Sequence, residues 1–340
     1  MPKDYNSAIP KIDAKILQGF HKDLIAWFLE HQRELPWRRK RSAYHTVVSE
    51  LMLQQTQVTT VIPYFERWIK KYPNWQALAL GSETDVLKLW EGLGYYRRCR
   101  NLHLLAKTIV DDLDGKVPQA VADLEKLPGI GPYTAGAVAS LAFNKPAPIV
   151  DGNVERVLCR VFNLSFDVTK TENKKLLWLL SESILPQENP RHFNEGLMEL
   201  GALVCTSASP QCLLCPLKKI CQAKDPLSLP FKPRAKIIEE KAAFVLIEKN
   251  EKILMQKAEE EGRWQGFHRF PQFDNATMQL DRKVGALTFS ITKYRVKASF
   301  SVAKLSIKKI PDKYCWINKD EISQLPLPAP HRKMLKMFSK

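Results

Sequence analysis

The chain has 340 residues, with 52 Lys plus Arg against 36 Asp plus Glu for a formal net charge of +16, and is 45% hydrophobic and 26% charged. That length suggests about two domains, and the composition supplies ample core, which excludes a disordered chain and a disulfide-stapled miniprotein. No stretch approaches the roughly 20 consecutive apolar residues of a membrane span, and residues 1–10 lack the apolar core of a signal peptide, so a cytoplasmic protein with reduced thiols is expected.

Residues 12–225 read as mostly helical, with helices predicted over Ile12–His31, Tyr44–Tyr72, Thr84–Glu91, Asn101–Leu113 and Ala135–Phe143. Ser82 followed by Asp85 resembles a capping box, and Gly92 is placed to end that helix. Glu50 is embedded among Val47, Val48, Leu51, Met52 and Leu53. A desolvated carboxyl has a raised pKa, which suits a general acid near neutral pH; the plainer alternative is a surface glutamate whose apolar neighbours face away. Gln54, Gln55 and Gln57 follow it, either as two-way hydrogen-bonding groups for bases or as a solvated face.

The run from Leu127 to Gly136 lies between two helical stretches and contains Gly129 and Gly131. Glycines let the backbone turn tightly and approach another surface. The following helix is predicted to start near Thr134, where free N–H groups can bind a phosphate. This is the pattern of a helix–hairpin–helix clamp on a DNA backbone, although an ordinary αα-turn has the same local spacing. Asp151 ends an apolar run ahead of another helix, where the dipole favours its ionised form, and Asn153 is the expected N-cap. Cys205, Cys212, Cys215 and Cys221 form C-x6-C-x2-C-x5-C. Four thiolates in so short a span suit one metal centre, zinc or an iron–sulfur cluster. Cys99, Cys159 and Cys315 are isolated and read as ordinary buried thiols.

After Asp225 the character changes. Pro226, Pro230 and Pro233 mark a linker over 226–240. Strands are expected over Ala242–Ile247 and Lys252–Lys257, joined across Glu248–Glu251, and Tyr294, Val296, Ala298, Phe300 and Val302 alternate along another strand. Pro330–Phe338 reads as a terminal helix. Both parts are basic, with 29 basic against 24 acidic residues up to position 225 and 23 against 12 beyond it. A polyanion is the natural partner, with nucleic acid ahead of a membrane surface. The fold class is multi-domain, with an all-α domain over 1–225 followed by an α+β domain over 241–340.

Several motifs occur together in one order: LPWR (Leu35–Arg38), SELMLQQTQV (Ser49–Val58), WEGLGYYRRCRNL (Trp90–Leu102), LPGIGPYTAGA (Leu127–Ala137), IVDGNVERV (Ile149–Val157), FNEGLMELGALVC (Phe193–Cys205) and the four-cysteine loop at 205–221. With them the chain resembles MutY-type adenine DNA glycosylases over essentially its full length. The resemblance implies a helix–hairpin–helix glycosylase domain carrying a 4Fe-4S cluster on Cys205, Cys212, Cys215 and Cys221, then a Nudix-like domain that reads 8-oxoguanine. The implied substrate is double-stranded DNA with A:8-oxoguanine or A:G mispairs, and the implied host is a bacterial, nucleoid-associated monomer. Glu50 is implied as the acid that protonates adenine N7, Asp151 as the carboxylate that stabilises the sugar cation, and Tyr133 and Asn153 as their orienting partners. Arg33, Trp37, Arg38, Leu53 and Glu195 are implied to line the base pocket. Gln55, Leu93 and Tyr95 are implied to wedge the duplex, Gly129, Gly131, Lys218 and Lys219 to meet the backbone, and Phe289 and Ser290 to read the lesion.

Related bifunctional enzymes of the endonuclease III type carry a catalytic lysine in the hairpin, where this sequence has Tyr133, so a monofunctional enzyme is expected. The C-terminal part has no G-x5-E-x7-R-E-x2-E-E-x-G box, so metal-dependent nucleotide hydrolysis is not expected there. In the family's Phe-Ser-His lesion loop this chain places Ile291 where the histidine stands. The competing readings are an endonuclease III-like glycosylase acting on pyrimidines and a non-catalytic iron–sulfur DNA-binding protein. Tyr133 weighs against the first, and the pair of acids against the second.

Overall fold

The computed structural model describes residues 10, 12–233, 236–257, 264, 266–307 and 309–338. In chain order the helices are α1 (Ala14–His31), α2 (Pro36–Arg39), α3 (Ala43–Leu53), α4 (Val58–Lys71), α5 (Trp75–Ala79), α6 (Glu83–Trp90), α7 (Arg97–Asp111), α8 (Val121–Leu124), α9 (Pro132–Ala137), α10 (Gly152–Val161), α11 (Thr171–Ser183), α12 (Pro190–Leu203) and α13 (Ala329–Phe338). The strands are β1 (Ile238–Leu246), β2 (Glu248–Lys249), β3 (Lys252–Gln256), β4 (Met278–Ile291), β5 (Tyr294–Leu305) and β6 (Tyr314–Asn318). By packing, the chain divides into one unit of Met1–Ala79 with Leu104–Pro233 and a second of Leu80–His103 with Arg234–Lys340. Residues 80–103, which the sequence reading assigned to the all-α domain, thus pack with the C-terminal part. Among the described residues no helix is long and apolar enough to cross a membrane.

In the first unit the core lies where α1, α10, α11 and α12 bury Phe20, Leu24, Val157, Leu158, Leu180, Phe193 and Leu197. Gly196 on α12 lets this helix approach α1, since a Cβ there would sit 3.1 Å from Leu24 and 3.3 Å from Phe28. The helix predicted over Tyr44–Tyr72 is two helices, α3 and α4. Nothing in the composition of Gln54–Gln57 demands a break; the backbone supplies it, with Gln55 at φ 58° in the left-handed region. The stretch Ala135–Phe143 likewise divides, α9 passing into a π-helical turn over Val138–Ala142. Such turns are commonest at functional sites.

Ser82 caps α6 as expected, accepting from the Asp85 N–H at 3.1 Å while its hydroxyl donates to Asp85 at 2.9 Å. Gly92 follows the end of that helix at φ 106°.

The second unit holds two three-stranded sheets, ordered β1-β5-β4 and β2-β3-β6. The body of β1 runs parallel to β5, pairing Phe244 with Phe300, while β5 is antiparallel to β4. The turn after β1 makes only a two-residue ladder, β2 with β3, and β3 pairs along its length with β6. The sequence reading had the first two strands simply joined across that turn. Phe244, Phe270, Phe300 and Met334 form a core between sheet and α13, against which Trp264 packs. Phe267 is fully buried.

Candidate active site

A cavity of about 540 Å3 opens in the first unit. Five segments distant in sequence meet there: α2, the end of α3, the start of α9, the loop into α10, and α12. Arg33, Trp37, Arg38, Glu50, Leu53, Gln55, Tyr133, Asp151, Asn153 and Glu195, each singled out from the sequence, line it together. Glu199 lines it too and was not anticipated. A glutamate on a helix is ordinary in sequence, and its only signal was a position one turn beyond Glu195.

Glu50 is 4% exposed, on a helix of which nearly every residue is buried. Desolvation is the largest influence on it and lifts its carboxyl from 4.5 to about 7. Opposing this is a hydrogen bond donated by the Tyr133 hydroxyl to Oε2. Asp151 reinforces the rise, Arg38 counters it, and Glu195 reinforces it.

Asp151, not Asn153, is the N-cap of α10. Its Oδ1 accepts from the Asn153 N–H at 3.0 Å and the Val154 N–H at 2.7 Å, and its Oδ2 accepts from Asn153 Nδ2 at 2.9 Å. The dipole and these three donors, with Arg156, favour the ionised form of Asp151, while burial acts against them and raises its carboxyl from the ordinary value. Asn153 instead serves as a side-chain donor to Asp151. Two glycines make these approaches possible. A Cβ on Gly201 would meet Asn153 Cβ at 2.6 Å, and one on Gly136 would collide with the Pro148 carbonyl just upstream of Asp151.

Opposite the two acids lies a ladder of ion pairs. Glu199 accepts from Arg33 Nε at 2.8 Å, Arg33 Nη2 at 2.9 Å, the Arg33 backbone N–H at 2.9 Å and Arg38 Nη2 at 3.1 Å. These donors hold its carboxyl at about 2 despite its burial. Glu195 Oε1 faces Arg38 Nε at 3.3 Å and accepts from Arg41 Nη1 at 2.8 Å. Glu195 Oε2 is buried and has no hydrogen-bond partner among the described residues. Trp37 closes one wall, edge-on to Phe65 at 5.4 Å. Taken together, the cavity can desolvate a flat polar ligand, offer it a proton from Glu50, and place a second carboxyl beside it.

The four cysteines of the loop line a second cavity of about 190 Å3 in the same unit, with Arg160 and Lys218. A water's share of liquid volume is ~30 Å3, so this space exceeds what a lone ion fills. Four thiol donors lining one cavity are a set that suits an iron–sulfur group, and equally a zinc ion. Arg160, 2% exposed, pins the loop by donating to the carbonyls of Cys205, Thr206, Ser207 and Leu229. Arg156 donates to the Cys205 carbonyl at 2.8 Å and to Asn153 Oδ1 at 2.9 Å. Lys218 and Lys219 are exposed.

Of the expected backbone contacts, Gly129 adopts φ 74° and exposed Gly131 is the N-cap of α9, with nothing within 4 Å of a Cβ built there. Gln55 is exposed. In the second unit Tyr95 is 44% exposed at φ 46°, whereas Leu93 is only 5% exposed. A bulky residue in the left-handed region is strained, and Arg98 secures it by donating to the carbonyls of Leu93, Gly94 and Tyr95. Phe289 and Ser290 lie on the end of β4 and not in a loop. Phe289 is partly buried, its ring 6.3 Å from Trp264, and Ser290 is exposed opposite Arg295.

Residues 48–182 match the HhH-GPD superfamily base excision DNA repair protein family, and residues 242–337 match the NUDIX domain. The adenine DNA glycosylase of Buchnera aphidicola subsp. Schizaphis graminum is 35% identical over 344 residues, which is 94% of this chain and 98% of that protein. The adenine DNA glycosylase of Homo sapiens is 44% identical over 221 residues, 62% of this chain and 40% of that protein, so the chain spans less than half of it. Among solved structures, a thermostable thymine-DNA glycosylase has a TM-score of 0.56 at 30% identity, covering 61% of this chain and 96% of that one. A non-covalent endonuclease III–DNA complex has a TM-score of 0.52 at 25% identity, covering 62% and 96%.

Proposed function

The chain belongs to the adenine DNA glycosylase family, and we propose that it excises adenine mispaired with 8-oxoguanine or guanine in double-stranded DNA through the 540 Å3 cavity. The observation that carries this reading is a pair of carboxyls, buried Glu50 and half-buried Asp151, in one cavity with different partners. To reach it, the adenine leaves the stack and the enzyme spends stacking energy on the extrusion. Gln55 and Tyr95, exposed and held at left-handed φ, are the residues that fill or wedge the duplex. Glu50, protonated up to about pH 7, donates its proton to N7, so the base departs neutral. The sugar then carries oxocarbenium character, and this approaching cation favours the ionised form of Asp151. Water attacks, with Glu50 returning as the base. The logic is that of two carboxyls in different environments acting on a glycosidic bond.

Tyr133 is neutral and bonded to Glu50. It offers no amine for a Schiff base, so the chain is a monofunctional glycosylase with little strand cleavage. Cys205, Cys212, Cys215 and Cys221 would hold a 4Fe-4S cluster, which when bound cross-links the loop that carries Lys218 and Lys219. Iron and sulfide analysis of the purified chain checks this, and zinc without iron would overturn it. Phe289 and Ser290 read the 8-oxoguanine, the serine by hydrogen bonding, without a histidine at 291. Cytoplasmic, nucleoid-associated action as a monomer accords with the basic charge.

The test is single-turnover base release from duplexes with A opposite 8-oxoguanine, G, C and T. Release is expected fastest opposite 8-oxoguanine, without strand nicking at the same rate. Equal release from all four would overturn the lesion-reading role of β4. Release of damaged pyrimidines with nicking would favour the endonuclease III reading.

A further inference from the structure

Glu199 and Glu195 stand one helical turn apart on α12, and Arg38 bridges them, with Nη2 3.1 Å from Glu199 and Nε 3.3 Å from Glu195. The two glutamates are partnered very differently. Glu199 has both oxygens occupied by Arg33 and Arg38, whereas Glu195 shows one oxygen to Arg38 and Arg41 and leaves the other bare. Arg38 is also tied to the Arg33 carbonyl at 3.0 Å. Its guanidinium is therefore held between the Arg33 carbonyl and the two acids, with Glu199 the partner of both terminal nitrogens.

We propose, on the basis of the adenine-excision reading above, that Glu199 is a positioning residue whose charge holds and partly neutralises Arg38, and that it thereby governs the pH range over which Glu50 can act as the excision acid. Among the described residues Arg38 is the cation acting on Glu50, and the other charged groups are Asp151 at the N-cap of α10 and Glu195 on α12, with neutral Tyr133 of α9 as the hydrogen-bond donor. Without the Glu199 charge, Arg38 acts on Glu50 less neutralised and is free to turn onto the bare oxygen of Glu195. Its positive field then favours the ionised form of Glu50. Without the Arg33 guanidinium, Glu199 keeps the backbone N–H of residue 33 and has Arg38 as its remaining cation, so Arg38 is more fully neutralised and the effect on Glu50 reverses.

Two variants of the full, cluster-loaded chain test this: Glu199→Gln and Arg33→Met. The protonation midpoint of Glu50 is read by carbon NMR of labelled glutamate carboxyls, assigned by the signal missing in Glu50→Gln. The alkaline limb of single-turnover adenine release from an A:8-oxoguanine duplex is followed in parallel. Glu199→Gln should lower both midpoints by about one pH unit, so that release falls roughly tenfold at pH 8 but only about twofold at pH 6. Arg33→Met should move them upward. Midpoints unmoved in both, or moved in the same direction, would overturn the proposal and leave Glu199 a structural ion pair, as would a uniform loss of rate at every pH. Should Glu199→Gln fail to fold by circular dichroism, the Arg33→Met midpoint decides alone, and an unmoved or lowered value is fatal. Absence of adenine release by the wild type would refute the excision reading, while the NMR midpoints would still judge the role of Glu199.

Discussion

The end of α3 and the N-cap of α10 each deliver one carboxyl to the same cavity, Glu50 buried and Asp151 half-buried, and they hold it by opposite means. Around Glu50 the helix is apolar on nearly every side and the direct donor is a hydroxyl, Tyr133. A hydroxyl can give or accept a proton in a hydrogen bond, so it tolerates either state of the acid. Around Asp151 the partners are three N–H groups that only donate. They reward a bare carboxylate and offer nothing to a protonated one. Burial pushes both carboxyls upward; the type of partner, more than the depth, separates an acid from a charge stabiliser.

The comparison can be broken most severely at Glu50. Glu50→Gln keeps the shape and removes the proton, and single-turnover adenine release should fall by about 10³-fold or more, with duplex binding retained. Release near the wild-type rate would end the assignment. Asp151→Asn should cost about 10²–10³-fold in the same assay. Asparagine is an N-cap as good as aspartate, so α10 should persist and the loss should be chemical, which an unchanged melting profile would verify.

A smaller effect sharpens the contrast from the side of stability. The folded value of Glu50 lies above the ordinary 4.5, near 7. Between those values the native state holds a proton that the unfolded chain has lost, so stability declines as pH rises through that window and is fully reduced above it. The cost is about 3 kcal/mol. Glu50→Gln, neutral in both states, should therefore melt above the wild type at pH 8, and the gap should close below about pH 4.5. A gap independent of pH would mean that burial is not what raises this acid.

Much of the site was legible because its signals are local. Apolar neighbours gave away Glu50, the glycine hairpin gave away the turn before α9, and four cysteines in one short loop gave away their own cavity. What was not legible depends on partners far along the chain. Asp151 rather than Asn153 caps α10, with an extended backbone and its carboxylate accepting from the N–H groups of Asn153 and Val154. Gln54–Gln57 break a helix that their propensities would continue. Nothing near Glu199 announces two arginines arriving from residues 33 and 38. Residues 80–103 pack with the C-terminal residues through Tyr96 against Phe267 and Arg332 donating to Glu91, and sequence order carries no trace of that. The strands expected around 242–247, 252–257 and 294–302 form as β1, β3 and β5, while β4 and β6 are additional; the parallel pairing of β1 with β5 is a choice between sheets, not a property of either segment.

The ion ladder beside the excision acid also has a direction in time. The bond from Arg33 to Glu199 spans 166 residues. A ribosome adds about 5–20 residues per second, so roughly ten to thirty seconds separate the synthesis of its two ends. During that interval α3, whose surface is almost wholly meant for burial, exists without α12 to complete the cavity over it. The nascent chain thus carries a sticky, unfinished pocket until the last helices of the first unit emerge, and holding that surface away from other chains is a requirement of its biogenesis that the finished enzyme no longer shows.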